Sequence, residues 1–214
     1  MYKKKGLFIT FEGIEGSGKT YQSLKLYNYL KKKKIPVLYT REPGGLKTAE
    51  EIRKLILTGE KNKFLSTTDT LLYLAPRNEL FNKIIKPAVD KGKIVICDRF
   101  TDSTLAYQVY GKGVNRKLVD KIHSYILDNF KPNLTYILKV NLNKSFQRMK
   151  KRKSMNRYDK FSKKFYKKVQ NAFISIAKKN SKRYVVIDNS QDTDQTEKNI
   201  YNRLIKKKFN NIKI

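Results

Sequence analysis

Residues 13–20 read Gly-Ile-Glu-Gly-Ser-Gly-Lys-Thr and fill every position of the phosphate-cradling pattern G-x-x-x-x-G-K-[ST]. Glycines let the backbone amides of such a loop turn toward phosphate oxygens, and the N-terminus of the following helix adds partial positive charge. Lys19 is placed to reach the β- and γ-phosphates of a nucleoside triphosphate, and the Thr20 hydroxyl to ligate magnesium. The predicted triphosphate-binding residues are Gly13, Ile14, Glu15, Gly16, Ser17, Gly18, Lys19 and Thr20.

Glu15 is out of place in this loop, because a carboxylate aimed at a triphosphate would repel it at short range. The side chain must therefore point elsewhere or meet a cation. It is either a solvated loop acid or a residue that serves a second partner.

Polar motifs also follow three of the apolar runs in the chain. Arg41 begins Arg-Glu-Pro-Gly-Gly after the second run, Asp98 and Arg99 follow the third, and residues 188–191 follow the last. An arginine at the carboxyl end of a strand can fork onto phosphate oxygens, so Arg41 and Arg99 predict a second phosphate site. Asp98 either helps Thr20 to hold magnesium or is a buried structural acid.

Tyr73 and Arg77 lie four residues apart in a helix-like segment, where they share a face. Together they offer an aromatic plane and a guanidinium fork, which suits a nucleobase. An aromatic residue at this spacing is, taken alone, more often part of the core. Pro76 removes a helical amide beside Arg77 and tends to kink the chain, so it bears on the geometry of the pair.

The elements that must position these residues alternate along the chain. Longer amphipathic, helix-like segments separate apolar runs that are typical of buried strands. The runs cover residues 7–11, 37–40, 94–97, 134–140 and 184–187. This pattern predicts an α/β fold with a five-stranded parallel sheet, helices on both faces, and ligands at the carboxyl ends of the strands.

Length and composition favour a single domain over residues 1–214, because 39% hydrophobic residues suffice for one sizeable core. Cys97 is the sole cysteine and lies in an apolar run, which fits a buried reduced thiol in a cytoplasmic protein. The short apolar stretch near the basic N-terminus predicts neither a signal peptide nor a membrane span. His123, the only histidine, is expected to be structural and remote from every motif, so magnesium is the only metal implied.

The formal net charge is +31, from 49 Lys and Arg against 18 Asp and Glu. Such a balance favours the steering of anionic substrates and raises nucleic acid as a partner. The basic residues are spread widely, however, and a bias toward AT-rich codons would give the same composition. Charge alone leaves both explanations open.

The motifs FEGIEGSGKT, REPGG, LLYLAPR, ICDRFTDSTLAYQ and NRYDKF, in this order and spacing, make the chain resemble the bacterial thymidylate kinases from its first strand to its last helices. The resemblance implies a P-loop NTPase fold with a short lid and a cytoplasmic homodimer. It also implies phosphorylation of dTMP to dTDP by ATP with Mg²⁺, which supplies dTTP synthesis for DNA replication. It argues against a nucleic-acid or membrane partner.

The resemblance assigns roles to the acceptor motifs. Glu15 matches a residue that reaches the sugar of the nucleoside monophosphate, since a hydroxyl can donate to a carboxylate. Tyr73 matches the aromatic residue that stacks on thymine, and Arg77 the arginine that reads the base edge. Arg41 and Arg99 match the arginines that hold the monophosphate. The positions that match the lining of the base and sugar pocket are Ser103, Thr104, Tyr107 and Gln108.

A lid over residues 148–160 is expected to exclude water, because ATP would otherwise be hydrolysed. In bacterial members the lid donates a catalytic arginine that their P-loop lacks, and this P-loop lacks one too. Arg152 and Arg157 are the candidates, with a solvated basic linker as the alternative for each, and Arg148 is assigned to the preceding helix. The predicted catalytic residues are Lys19, Arg99, Arg152 and Arg157.

Two other functions stay open. One is a kinase of the same fold that acts on dUMP or another pyrimidine monophosphate. The other is a nucleic-acid-dependent ATPase, which the charge alone suggests and which would need helicase-type motifs that the sequence lacks.

Overall fold

A five-stranded parallel sheet with the strand order β2-β3-β1-β4-β5 organises the part of the chain that the structure describes. The structure is a computed structural model that describes residues 6–152, 155–191 and 194–206. The strands are β1 Leu7–Glu12, β2 Val37–Arg41, β3 Ile94–Asp98, β4 Leu134–Lys139 and β5 Tyr184–Asp188. The predicted α/β fold is confirmed, and each predicted strand is right to within one residue at its ends.

Helices connect the strands and cover both faces of the sheet. Leu7 and Ile9 of β1 share an apolar cluster with Leu26 on one face, whereas the intervening Phe8 packs with Leu80 and other residues on the opposite face. The α-helices are α1 Lys19–Lys32, α2 Lys47–Leu57, α3 Ser66–Leu80, α4 Lys86–Asp90, α5 Thr101–Thr104, α6 Arg116–Leu127, α7 Leu142–Lys150, α8 Lys163–Lys178 and α9 Gln195–Lys206. Two π-helical segments, Phe81–Ile85 and Leu105–Gly111, and a 3₁₀ turn, Arg157–Lys160, complete the described helical structure.

Helix α3 continues through Pro76, which is buried within it. Proline cannot donate the hydrogen bond one turn back and crowds the carbonyl there, but the helix continues past it. Tyr73 and Arg77 therefore stay on one helix, four residues apart.

The register of the strands brings the polar motifs to one edge of the sheet. Asp98 of β3 lies opposite Arg41 of β2 on one side and Phe11 of β1 on the other. The glycine loop leaves β1 in the middle of the sheet, between β3 and β4. The carboxyl edge is therefore where the donor and acceptor motifs can meet.

Cys97 is buried and carries a free thiol, as predicted. None of the described helices is long and apolar enough to cross a bilayer. The described residues also contain no cluster of three or more His, Cys, Asp or Glu side chains with metal-binding geometry.

Candidate active site

A cavity of about 410 Å³ lies at the carboxyl edge of the sheet. It brings together most of the residues that the sequence nominates for donor and acceptor sites. Those residues are Glu15, Gly16, Gly18, Lys19, Thr20, Arg41, Tyr73, Arg77, Asp98, Arg99, Ser103, Thr104, Tyr107, Gln108 and Arg152. The predicted residues Gly13, Ile14, Ser17 and Arg157 do not line the cavity.

The glycine loop needs glycine at its two closest approaches. A Cβ atom on Gly16, whose φ is 68°, would collide with the backbone oxygen of Ser145. One on Gly18, whose φ is 86°, would collide with the side-chain amide of Asn189. Both positions also require a left-handed backbone, which other residues rarely adopt. The loop is thus packed against the chain on its outer side and presents its inner side to the cavity.

Lys19 begins α1 and is almost buried, with 6% of its surface exposed. Its Nζ donates to the carbonyl oxygen of Ile14 at 2.7 Å and approaches the hydroxyl of Ser17 at 3.5 Å. Burial, followed by the nearby charge of Arg99, lowers the pKa of Lys19 to about 7. Ile14 and Ser17 therefore serve the loop by holding Lys19, although they do not line the cavity.

Thr20 and Asp98 form a pair of oxygen ligands. The Thr20 hydroxyl donates to Oδ2 of Asp98. The other carboxylate oxygen, Oδ1, is buried and has no hydrogen-bond partner. A buried carboxylate oxygen without a partner beside a hydroxyl matches the hard oxygen donors that Mg²⁺ prefers. These two residues therefore fit the predicted magnesium site.

Glu15, Arg99 and Tyr107 form a closed cluster on the acceptor side of the loop. Glu15 Oε1 accepts from Nη2 of Arg99 at 2.7 Å, and Oε2 accepts from the Tyr107 hydroxyl. Burial acts to raise the pKa of Glu15, but the charges of Arg99 and Lys19 outweigh it and the net pKa is lowered. The carboxylate thus meets a cation, which resolves its position in a phosphate-binding loop.

Glu12 holds the turn that carries Arg99 through hydrogen bonds with Phe100 and Ser103. Its carboxyl oxygens accept from the backbone amide of Phe100 at 2.8 Å and from the Ser103 hydroxyl at 2.6 Å. Ser103 Oγ in turn accepts from Nη1 of Arg99 at 3.1 Å. Arg99 has a φ of 72°, so these contacts hold a left-handed turn that aims its side chain at the cavity. Burial and then the charge of Asp102 raise the pKa of Glu12 to about 8.

Glu12 should make folding stability depend on pH. A carboxyl whose pKa is raised from 4.5 to about 8 stays protonated in the folded chain while it ionises in the unfolded chain. Its contribution to stability is therefore fully present below 4.5 and declines as the pH rises toward about 8. Glu12→Gln has nearly the same shape, is neutral at every pH like the protonated acid, and removes the titration.

Thermal melting across this pH range measures the effect of Glu12. We expect wild-type protein to lose more stability than Glu12→Gln between weakly acidic and weakly alkaline pH. Parallel pH profiles for the two proteins would show that Glu12 is ionised in the folded state. The comparison cancels the titration of other groups, because only residue 12 differs.

The contacts of Arg77 differ from the expectation that it offers an open guanidinium fork to a nucleobase. It lines the cavity, but its side chain is 2% exposed and its guanidinium N–H groups already have partners. They donate to Glu42 at 2.6 and 2.8 Å, to Thr104 Oγ1 at 2.8 Å, to His123 at 2.7 Å and to the backbone oxygen of Phe100 at 3.1 Å. These contacts use all five donors of an arginine. Arg77 therefore has no free fork for a base edge and must share a donor to reach one.

His123 was expected to be remote from the motifs, and that expectation is wrong. Its Nε2 must accept from Arg77, because an arginine has no acceptor. Burial, followed by the charge of Arg77, lowers the pKa of His123 to about 3, so the ring is neutral. His123 therefore lies behind Arg77, a residue that lines the cavity, and contacts it there.

One end of the cavity is aromatic. Tyr73 is half-buried and lies edge-on to Tyr158, with ring centroids 6.1 Å apart. Tyr107 lies edge-on to the same ring at 5.8 Å. Gln108 donates from Nε2 to the Tyr158 hydroxyl at 3.2 Å. This end suits a planar ring with polar edges.

Arg41 stands at the exposed mouth of the cavity. Half of its side chain is accessible, and Nη2 lies 3.1 Å from Oε1 of Glu50. Arg53 of α2 lines the cavity beside it and donates to the carbonyl oxygen of Pro43 at 2.6 Å. The second cation was missed because no motif marks residue 53.

The arginines of residues 148–160 separate into two groups. Arg152 lines the cavity, and 38% of its side chain is exposed. Arg157 is fully buried, pairs with Asp69 and donates to the Ile56 carbonyl oxygen. The position of Arg157 therefore conflicts with the prediction that it acts on the substrates, because its guanidinium is buried and paired with Asp69. Residues 153 and 154 of the predicted lid lie outside the described residues.

Arg148 of α7 also reaches the cavity, although its place in a helix argued against it. It donates to the backbone oxygen of Gly16 at 3.1 Å and to that of Asn189 at 2.9 Å. The helical assignment was right, but the long side chain spans from α7 to the glycine loop. Asn156 caps the 3₁₀ turn in a reciprocal capping box with Asp159.

Most of the chain matches known proteins of one family. The sequence profile of the family described as "Thymidylate kinase" matches residues 11–200. The thymidylate kinase of Sulfurihydrogenibium sp. (strain YO3AOP1) is 40% identical over 199 residues, covering 93% of this chain and 97% of the relative. That of Mycoplasma capricolum subsp. capricolum is 42% identical over 202 residues, covering 94% of this chain and 93% of the relative.

A solved structure agrees with these sequence matches. The crystal structure of thymidylate kinase from Ehrlichia chaffeensis superposes with a TM-score of 0.76 at 36% identity, covering 94% of this chain and 99% of that chain. The likeness therefore extends over the sheet, the glycine loop and the acceptor motifs alike. With a family model that matches most of its length and relatives of about 40% identity, the chain belongs to the thymidylate kinase family.

Proposed function

We propose that this chain transfers the γ-phosphoryl group of ATP to dTMP and releases dTDP and ADP. Membership of the thymidylate kinase family supports the reaction. The observation that carries the residue assignments is that one cavity is lined both by Lys19 and Thr20 and by Arg99 and Tyr73. The donor and acceptor phosphates can therefore lie next to each other in the same cavity.

On the donor side, the backbone of the glycine loop and Nζ of Lys19 bind the ATP phosphates. Lys19 exchanges its contact with the Ile14 carbonyl oxygen for phosphate oxygens, and their negative charge keeps its amine protonated. Thr20 and Asp98 hold Mg²⁺, which neutralises charge on the donor phosphates when it is bound.

On the acceptor side, Arg99 and Arg41 bind the phosphate of dTMP. Before dTMP binds, Arg99 is paired with Glu15. The Glu15 carboxylate can accept a further hydrogen bond from a sugar hydroxyl. The base lies between Tyr73 and the polar residues Ser103, Thr104 and Gln108. Arg77 contributes charge and rigidity to the wall rather than an open guanidinium fork.

The transfer step needs little covalent help from these residues. The acceptor phosphate is ionised at neutral pH, so no general base is required. Lys19, Arg99 and Arg152 surround the place where charge spreads in the loose transition state. Residues 148–160 act as the lid that excludes water, with Arg152 as their catalytic arginine.

The test is ADP release from ATP and Mg²⁺ with dTMP, dUMP, AMP or double-stranded DNA added in turn. We expect dTMP to give the highest kcat/KM, with dUMP next and with AMP and DNA close to the background. Preferential turnover of dUMP would make the chain a kinase for another pyrimidine monophosphate. Stimulation by DNA without stimulation by dTMP would overturn the proposal.

We further propose a cytoplasmic homodimer in which residues 1–214 form one domain and no nucleic acid binds. Exposed apolar side chains on α6 support an interface, since Tyr125 is 89% and Leu118 39% exposed. Sedimentation equilibrium of wild type and Tyr125→Glu measures the association. DNA binding titrated against salt tests whether the +31 charge recruits a polyanion.

A further inference from the structure

Tyr158 carries a hydroxyl that joins the cavity to a buried ionic cluster. Its ring lines the cavity, and only 3% of the residue is exposed. The hydroxyl lies 2.7 Å from Oδ2 of Asp69, 3.2 Å from Nε2 of Gln108 and 3.4 Å from Nζ of Lys112. Side chains from α3, from the second π-helical segment and its C-cap, and from the 3₁₀ turn therefore converge on one oxygen atom.

Asp69 determines the direction of these hydrogen bonds. It is fully buried in α3, one turn before Tyr73, and it pairs with Lys112 at 2.5 Å and with Arg157. A carboxylate held between two cations is ionised and can only accept. Burial, followed by the neighbouring Tyr73, raises the pKa of Tyr158 well above its ordinary value, so its hydroxyl keeps the proton. Tyr158 must therefore donate to Asp69.

The amide of Gln108 is oriented as a consequence. With its proton given to Asp69, the Tyr158 oxygen can only accept, and Lys112 and Gln108 must both donate to it. Gln108 therefore turns Nε2 toward Tyr158. This orientation leaves the carbonyl oxygen Oε1 and the second hydrogen of Nε2, on a residue that lines the cavity.

A fixed carbonyl acceptor discriminates between pyrimidine bases. Thymine and uracil carry a hydrogen on N3, whereas cytosine has a lone pair there. An amide held with its oxygen toward N3 can bind the first two bases, whereas with the third base two acceptors would face each other.

We propose that Tyr158, anchored by Asp69, is a positioning residue that sets base specificity by holding Gln108 with its carbonyl oxygen toward N3 of the acceptor base. The inference rests on the proposed function, because it requires the base to lie beside Gln108. The relay runs from the buried carboxylate through the hydroxyl to the amide. Neither Asp69 nor the Tyr158 hydroxyl needs to touch the substrate.

Tyr158→Phe removes the hydroxyl and leaves the ring. We expect the ratio of kcat/KM for dTMP to kcat/KM for dCMP to fall by about tenfold or more, because the freed amide can turn and donate Nε2 to cytosine. KM for dTMP should rise by several-fold, while KM for ATP changes by less than about twofold. Steady-state kinetics with dTMP, dUMP and dCMP measure these values, and a melting curve verifies that the variant is folded.

Tyr136→Phe is the matched control. Tyr136 is equally buried, and its hydroxyl donates to the backbone oxygen of Ile200 at 2.9 Å on the other face of the sheet. We expect its ratio of dTMP to dCMP efficiency to equal that of the wild type. An unchanged ratio in Tyr158→Phe, or an equal fall in Tyr136→Phe, would overturn the proposal.

Gln108→Leu distinguishes a failure of the relay from a failure of the proposed base site. If Gln108→Leu leaves KM for dTMP and the ratio at wild-type values, the base does not lie beside Gln108. The relay and the proposed base site are then both wrong. If Gln108→Leu lowers the ratio and Tyr158→Phe does not, the relay alone is wrong. In the Gln108→Leu background, adding Tyr158→Phe should cause no further loss of discrimination.

Discussion

Replacement of Arg99 by alanine is expected to lower kcat/KM for dTMP by about a hundredfold or more, which corresponds to a loss of about 2.7 kcal/mol of transition-state stabilisation. Arg99 lies between the glycine loop and α5 and contacts Gly13, Glu15 and Ser103. Its loss removes a charge from the acceptor phosphate and also releases Glu15. KM for ATP should change little, because Lys19 keeps the donor site.

Two further variants control for this effect. Arg99→Lys retains a charge without the planar fork and should recover only part of the activity. Arg116→Ala removes an exposed arginine that pairs with Asp120 at 3.1 Å, and it should leave the kinetics unchanged. Alanine adds no new backbone demand, since arginine already adopts the positive φ at residue 99. Wild-type turnover in Arg99→Ala would refute the assignment of Arg99 to the acceptor phosphate.

Arg152 and Arg157 should give opposite results when each is replaced by alanine. Arg152→Ala is expected to lower kcat by about a hundredfold or more with little change in stability, because its side chain lines the cavity near Lys19. Arg157→Ala is expected to lower the free energy of unfolding by about 3 kcal/mol, because it breaks a buried pair with Asp69. Its kcat should fall less than that of Arg152→Ala.

Chemical denaturation and single-turnover kinetics separate these two outcomes. The first measures the free energy of unfolding, and the second measures the transfer step without product release. A stable but inactive Arg157→Ala beside an active Arg152→Ala would reverse the assignment of the catalytic arginine.

The fold and the general location of the site could be predicted because both depend on local patterns. Apolar runs of four to seven residues mark the strands, and the carboxyl ends of parallel strands share one edge. Arg41, Asp98 and the glycine loop each follow such a run directly. Glu15 was also predicted to point away from the phosphates or to meet a cation, since its repulsion of phosphate follows from charge alone.

The partners of individual side chains could not be predicted in the same way. Arg77 meets Glu42 and His123, which are 35 and 46 residues away, and Arg157 meets Asp69 at a separation of 88 residues. No periodicity or motif encodes such pairs, because they depend on how α3 packs against the rest of the fold. An arginine in a phosphate-binding motif therefore predicts a cation near the site. Whether its guanidinium binds substrate or pairs with another side chain depends on the tertiary structure.

The pair of Glu15 and Arg99 gives the acceptor pocket an internal counter-ion. In a chain with a net charge of +31, an open arginine would attract inorganic phosphate and any other small anion. Here an anion must first compete with a carboxylate 2.7 Å from the guanidinium. A ligand that also offers a hydroxyl to Glu15 compensates the displaced carboxylate, whereas a bare anion does not. We therefore expect a phosphate attached to a sugar to bind better than a bare anion, and inhibitors that lack an anion can leave the pair intact.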